Sequence, residues 1–328
     1  MTKYSFRPAL WATSLLSLAV TSYADVKVND IFSVNGYVIG AATTTDVDGG
    51  PSIDTYFNNK GGPAIVNADA VKLGVIAAKG SWSGYGSALY LPGAANKAGL
   101  LDAYVTYDTG TGLKITGGKF LSYLGYEAFD PVNMAQLTYG STIYAIPAYH
   151  TGAKLDYSTK TWSAGVAVVD SIFSGAKGFF EGDREYSDDV GIEAVVTYTG
   201  VDKLTVFAGI ASENTKGASS NLFIFDLWAS YNLTDKWTIA GEIDTNNNNG
   251  GDDYVGWLAF ASYKFSDKFS TAFRISGASK GPGGDETKYT IAPTYAIDAN
   301  LSLRAEFSAA SRDSGDYTFI GGQVVFKF

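Results

Sequence analysis

Apolar and polar residues alternate along most of the chain. In Leu301-Ser-Leu-Arg-Ala-Glu-Phe-Ser-Ala309, one face carries Leu301, Leu303, Ala305, Phe307 and Ala309, and the other carries Ser302, Arg304, Glu306 and Ser308. Residues 269–277 repeat the pattern with Phe269, Thr271, Phe273 and Ile275 opposite Ser270, Ala272, Arg274 and Ser276. Residues 190–198 set Val190, Ile192, Ala194, Val196 and Tyr198 against Gly191, Glu193, Val195 and Thr197. Period two held over about nine residues predicts strands with one apolar and one wet face. The pattern predicts about sixteen of them, each roughly ten residues long. They lie near 31–41, 70–79, 82–91, 100–108, 112–120, 148–158, 161–171, 189–199, 203–212, 222–233, 237–244, 254–265, 269–278, 289–297, 300–310 and 317–328. Glycines blur the faces of 82–91, and Pro293 interrupts 289–297, where it marks an edge or a bulge. Fourteen or eighteen strands fit the spacing as well.

The connections alternate in length. Tight polar turns recur at Ser158-Thr-Lys-Thr161, Gly200-Val-Asp-Lys203, Thr234-Asp-Lys236, Ser266-Asp-Lys268 and Asp298-Ala-Asn300. Tyr157, Tyr198, Tyr231, Tyr263 and Tyr295 precede them, and Trp162, Leu204, Trp237, Phe269 and Leu301 follow. Between the short turns run longer Gly/Asp/Asn-rich connections, such as Asn246-Asn-Asn-Asn-Gly-Gly-Asp-Asp253 and Lys280-Gly-Pro-Gly-Gly-Asp-Glu286. Short turns, long loops and an aromatic girdle at the short-turn end define an all-β fold, a transmembrane antiparallel β-barrel of the outer-membrane type. A soluble β-sandwich also alternates, but it explains neither the girdle nor the alternating loop lengths.

Composition sharpens this picture. The chain has no cysteine, which removes disulfide support, thiol nucleophiles and Cys-based metal sites. Gly 38, Tyr 22 and Phe 19 are high, and after the first residues no segment approaches the ~20 apolar residues of a spanning helix. Lys3 and Arg7, the apolar run 9–20 and Ser22-Tyr23-Ala24 form a signal peptide over 1–24 with cleavage near Ala24. The mature chain, 25–328, is then a single barrel domain of about 304 residues and formal charge about −11. That charge argues against nucleic acid as a partner.

Two features set the orientation and the address. An even number of strands brings both termini to the periplasmic side. The final strand, Tyr317-Thr-Phe-Ile-Gly-Gly-Gln-Val-Val-Phe-Lys-Phe328, aligns Ile320, Val324, Phe326 and Phe328 on one face and ends on an aromatic residue. It resembles the C-terminal signature by which the barrel-assembly machinery of Gram-negative bacteria recognises its clients.

One connection breaks the rhythm. Residues 121–147 hold Tyr123, Tyr126, Phe129, Met134, Leu137, Tyr139, Ile143, Tyr144 and Ile146, too apolar for a disordered segment and too long for a turn. Folded into the lumen, this loop would bury its aromatics and narrow the pore. The surrounding block carries Gly118-Lys119-Phe120, Gly125 with Glu127, Asn133, Pro147 and His150-Thr151-Gly152. It resembles the central block of the OmpL-like β-barrel porin-2 family, over about forty residues. The resemblance implies an outer-membrane channel and names no solute.

Placing the apolar face in lipid sends Lys72, Asp102, Lys114, His150, Lys154, Asp156, Glu193, Asp226, Glu242, Asp244, Arg274, Arg304, Glu306 and Lys327 to the lumen. A charge in lipid costs up to ~2–4 kcal/mol at mid-depth, so this parity is a physical requirement before it is a functional one. Many of these charges can simply pair across strands. The constriction is expected from Glu127 and Asp130 on the loop and Lys154, Arg274, Arg304 and Glu306 on the wall. Lumen-parity Tyr104, Phe207, Trp228 and Phe260 either stack sugar rings or fill space, with filling favoured. Outer-loop acids at Asp46, Asp48, Asp54, Glu181, Asp183, Glu185, Asp188, Asp189, Asp252 and Asp253 would concentrate cations at the mouth. Neither Asp46–Gly50 nor the Asn/Asp loop matches an EF-hand, so no metal and no cofactor is expected.

These observations predict a channel in a Gram-negative outer membrane for passive diffusion of small hydrophilic solutes or ions, mildly cation-preferring. Its partners would be membrane lipid, its solutes, the assembly machinery at Phe328 and further copies of itself. The competing expectations are a plugged adhesive or structural barrel, and an outer-membrane hydrolase using His150 with Ser141 or Ser122 and Asp130. No catalytic residue is assigned.

Overall fold

A computed structural model describes residues 25–48, 53–56, 70–91, 98–173, 190–214, 221–247, 253–281 and 284–328. The expected signal peptide at 1–24 and the loop acids Glu181, Asp183, Glu185, Asp188, Asp189 and Asp252 lie outside the described residues.

Strand pairs with strand in chain order. The segments are β1 (Val26–Lys27), β2 (Phe32–Val47), β3 (Ile53–Tyr56), β4 (Ala70–Lys79), β5 (Trp82–Tyr90), β6 (Ala98–Asp108), β7 (Leu113–Leu121), β8 (Tyr149–Ser158) and β9 (Trp162–Val169). They continue as β10 (Gly191–Tyr198), β11 (Leu204–Glu213), β12 (Leu222–Asn232), β13 (Trp237–Asn246), β14 (Tyr254–Lys264), β15 (Phe269–Gly281), β16 (Gly284–Ala296), β17 (Leu301–Arg312) and β18 (Tyr317–Lys327). Sixteen are wall strands. The short β1 and β3 fold back on β2, at Val26↔Val34 and at Ala42↔Tyr56. The wall closes where β18 meets β2, from Tyr317↔Val47 to Lys327↔Tyr37. The fold is therefore a closed, antiparallel sixteen-stranded barrel, and closure leaves no sheet edge to satisfy in lipid.

The repeated turns share one device. Thr159, Thr234, Ser266 and Asp298 each accept backbone N–H groups from the residues two and three positions on, such as Lys236 and Trp237 at 3.2 and 3.0 Å from Thr234 Oγ1, and Asn300 and Leu301 at 2.8 and 2.9 Å from Asp298 Oδ1. A short side-chain oxygen thus replaces the missing ladder partner at each reversal. The flanking rings meet at this end, Trp82 with Tyr107 at 4.7 Å, Tyr157 with Trp162 at 5.6 Å and Trp237 with Tyr263 at 4.6 Å between centroids.

Burial follows the alternation. Leu73, Val75, Ile239, Ile243, Phe273, Ile275, Leu303, Phe307 and Ile320 are exposed on the outside, whereas Lys72, Glu193, Asp226, Glu242, Arg274 and Glu306 are buried inside. A soluble fold would invert this; a bilayer around the wall is what makes it stable.

Several strand boundaries differ from the sequence pattern. The loop expected at 280–286 is mostly strand, because β15 and β16 keep pairing to Gly281↔Gly284 across a register shift. Pro293 is no edge marker. It pairs with Thr271 of β15, and the ladder to β17 is interrupted between Ile291↔Phe307 and Thr294↔Arg304, where its missing N–H falls. The strand expected to 171 stops at Val169, and residues 170–173 turn inward, with Ile172 N–H on Glu213 at 2.5 Å. β2 runs on to Val47 rather than stopping near 41, because its threonines pair with β18.

The last residue completes the seam. Phe328 N–H donates to Gly36 O at 3.0 Å, and Gly36 N–H donates to Phe328 O at 2.9 Å. Deleting Phe328 removes both bonds, and the amount of folded, heat-modifiable barrel in membranes is expected to fall. Unchanged assembly would refute a role for the terminal aromatic.

Candidate pore-constricting site

The lumen wall is electrostatically divided. Acids concentrate on β10 to β13, with Glu193, Glu213, Asp226, Glu242 and Asp244 all buried. Bases concentrate on β15 to β17, where Arg274, Lys288 and Arg304 point inward, and Lys72 adds to them from β4.

Residues 122–148 lie inside the barrel between these walls, with Leu124, Tyr126, Val132, Leu137, Thr138, Tyr139 and Ala145 buried. Two short 3-10 turns, Pro131–Asn133 and Ser141–Tyr144, are the only helical pieces among the described residues. The polar groups of the segment sort by wall. On the acidic side, Ser122 Oγ donates to Glu193 at 2.5 Å, Gly125 N–H to Asp226 at 2.7 Å and Tyr126 N–H to Glu242 at 2.5 Å. On the basic side its carbonyls accept: Thr138 O from Arg274 at 2.9 Å, Tyr139 O from Lys288 at 3.1 Å, and Pro131 O and Val132 O from Arg304 at 2.8 and 2.7 Å. Glu306 and Glu286 are the exceptions, acids on the basic side: Glu306 takes the N–H groups of Leu137 and Thr138 at 2.6 and 2.8 Å, and Glu286 the Ser141 hydroxyl. Gly125 has φ +106°, and an added Cβ would lie 2.4 Å from Ile146 Cδ1, so glycine is what lets this N–H reach Asp226.

The expected constriction residues are thereby located. Glu127 pairs with Arg274 and also accepts from Gln136 and, at 2.5 Å, from Gly140 N–H. Asp130 pairs with Lys72 at 2.8 Å. Lys154 lies over the rings of Phe120 and Tyr123, 4.8 and 4.7 Å from their centroids. Arg304 and Glu306 hold the segment's backbone as above. These residues come together as anchors of one lumenal segment, not as a free ring of charge.

Sequence reasoning listed Lys72 and Asp102 as lumenal without linking them to the loop, and it omitted Lys288 altogether. The signal for Lys288 was available, since Lys288 and Thr290 alternate with Tyr289 and Ile291; starting the strand at 289 hid it. Asp102 keeps the lumenal parity of Tyr104, and the bulge between Ser87 and Ala88 turns its unpaired neighbour Leu101 to the lumen as well. Ser87 Oγ binds it at 2.6 Å and Lys72 lies at 3.5 Å.

Lumenal aromatics are packed. Phe207 stacks on Trp228 at 5.1 Å, and Tyr126 of the segment meets Trp228 and Phe260 edge-on at 5.5 and 5.8 Å. Burial, and then the charge of Asp156, push the Tyr123 phenol above its ordinary pKa, so it stays protonated and donates to Asp156 at 2.6 Å. His150 lies 3.4 Å from Glu193. Ser122 donates its hydroxyl to the same Glu193, and Ser141 donates to Glu286 at 2.6 Å.

A closed wall with a lipid-facing exterior and a charged lumen crossed by an inward loop defines the class of outer-membrane, porin-like barrels. The chain belongs to the putative beta-barrel porin-2, OmpL-like family, whose model matches residues 80–324. Among curated proteins no sequence matches it. Its fold is similar to that of Salmonella typhi OmpF, solved as a complex with daunomycin (TM-score 0.66, 13% identity, 90% of this chain and 97% of that one). It is also similar to Pseudomonas putida OprB in a high-pH structure (0.66, 10%, 91% and 94%). An anion-selective porin from Comamonas acidovorans is a third structural relative (0.63, 12%, 90% and 99%).

Proposed function

We propose that this outer-membrane porin-like barrel is a narrow, mildly cation-preferring channel for small hydrophilic solutes and ions, with residues 122–148 setting the constriction. The observation that carries this is the position of that segment across the lumen, tied to both walls. Cation preference is supported by the acids of β10 to β13, which outnumber the bases facing them. The constriction roles of Glu127, Asp130, Lys154, Arg274, Arg304 and Glu306 belong to the same proposal. They act by fixing the segment, and selectivity follows from what the fixed segment leaves open. The proposal includes export by the 1–24 signal peptide, insertion through the assembly machinery and homo-oligomerisation, the last read by native mass in detergent.

Planar-bilayer recording on purified protein tests the reading. A small, steady single-channel conductance with a reversal potential displaced toward the cation equilibrium is expected in a salt gradient. A silent barrel would overturn it in favour of a plugged structural or adhesive protein, the reading that the many loop-to-wall bonds favour. An anion-directed reversal potential would keep the channel and remove the charge assignment. Liposome swelling with sugars and amino acids of graded size then defines the solute class.

A further inference from the structure

We propose that Asp226, Glu242 and Asp244 bind a hard divalent cation, calcium by its coordination chemistry, beneath the lumenal segment. All three are buried, and one carboxylate oxygen from each lies within 4.8 Å of the others. Two oxygens bound to one Ca²⁺ at about 2.4 Å can be at most about 4.8 Å apart, so this spacing matches a shared ion. Asp226 faces Asp244 directly across the β12–β13 ladder, and Glu242 sits two residues along the same face.

The second observation is how few hydrogen bonds they receive. Gly125 N–H takes Asp226 Oδ2, and Tyr126 N–H takes Glu242 Oε1. Asp226 Oδ1 and both oxygens of Asp244 meet no donor among the described residues, and Glu242 Oε2 has only the Thr142 hydroxyl nearby, without hydrogen-bond geometry. Asp244 is fully buried and aimed into the cluster, and apart from the facing carboxyl of Asp226 its oxygens meet no partner among the described residues. No Lys, Arg or His among the described residues forms an ion pair with any of the three; the lumen's bases engage Glu127, Asp102, Asp130 and Glu193 instead. Buried carboxylates this close are strongly unfavourable as anions without a counter-charge. A divalent cation supplies that charge and occupies the free oxygens.

The donor set selects the ion. Oxygen-only ligands without His or Cys disfavour zinc and copper. Magnesium keeps several waters in a strict octahedron, which suits a fully buried site poorly; calcium accepts crowded, irregular carboxylate shells. Because Gly125 and Tyr126 already hold two of these acids, a bound ion would staple the segment to the β12–β13 wall. This inference concerns binding and does not rest on the channel reading.

Terbium is the probe. Trp228 is the register partner of Glu242, close enough to sensitise its emission. Full-length barrel, folded in detergent and stripped with EDTA, should give saturable emission at one ion per chain, displaced by calcium. Asp244→Asn should weaken it at least tenfold, while Asp46→Asn with Asp48→Asn at the mouth should leave it intact. If Asp244→Asn fails to give a heat-modifiable barrel, Glu242→Gln carries the comparison. Absent emission, emission that calcium cannot displace, or emission that survives the lumenal variant overturns the proposal. So does a variant more stable than wild type with no ion bound by either, since the acids would then share protons instead.

Discussion

Arg274→Ala is expected to destabilise the folded barrel by about 3–5 kcal/mol, the usual cost of stripping one partner from a buried ion pair. The guanidinium pairs with Glu127 and bonds Thr138 O at 2.9 Å and Thr290 Oγ1 at 3.1 Å. Its loss leaves the buried Glu127 carboxylate without a counter-ion and frees the middle of the lumenal segment. Urea unfolding in detergent, followed by tryptophan fluorescence, measures the first effect; noisier and larger channel currents measure the second. Adding Glu127→Gln to the same chain should recover a large part of the stability, because the uncompensated charge disappears. Wild-type unfolding and currents in the single variant would show that the pair is incidental.

Replacing residues 124–146 by a short Gly-Ser bridge should raise single-channel conductance several-fold, since a sixteen-stranded wall without an insert leaves an aqueous channel. The bridge can be short because Leu121 and Tyr149 are register partners at the ends of β7 and β8. Heat-modifiable mobility should persist at a lower yield, as the wall pairings are untouched but the seam loses Leu137. Cation preference should change as well: Glu127 and Asp130 leave, and Arg274 and Lys72 lose those partners. If conductance and selectivity stay as they were, the constriction lies in wall residues such as Arg274, Arg304 and Glu306 alone, and the segment drops out as a site.

The wall was legible because each hairpin obeys local rules. Thr234, Ser266 and Asp298 announce their turns, and Tyr231, Tyr263 and Tyr295 mark the same boundary, so the hairpin rhythm follows from repetition, while sixteen against fourteen or eighteen is decided only by the closed wall. Period two also sends Asp226, Arg274 and Glu306 to the lumen correctly. It fails where the backbone slips, as at the bulge that turns Leu101 inward beside Asp102. Parity says which face a residue occupies, but not the height at which it meets a loop more than a hundred residues away. Glu127 therefore reads as a pore charge from the sequence, while its pairing with Arg274 is visible only in the fold. The inward turn at 170–173 is not legible because the Glu213 that holds Ile172 lies 41 residues on.

Leu137 packs with Ala41, Tyr317 and Phe319, on the two strands that form the closing seam. Gly321 of β18 makes the room, since a Cβ there would lie 2.8 Å from Leu137 Cδ2. The seam is thus moulded to the insert, and its closing strands pack on a residue that neither of them carries. Bulky substitutions at Gly321 therefore act on the yield of finished barrels before they act on anything that passes through one.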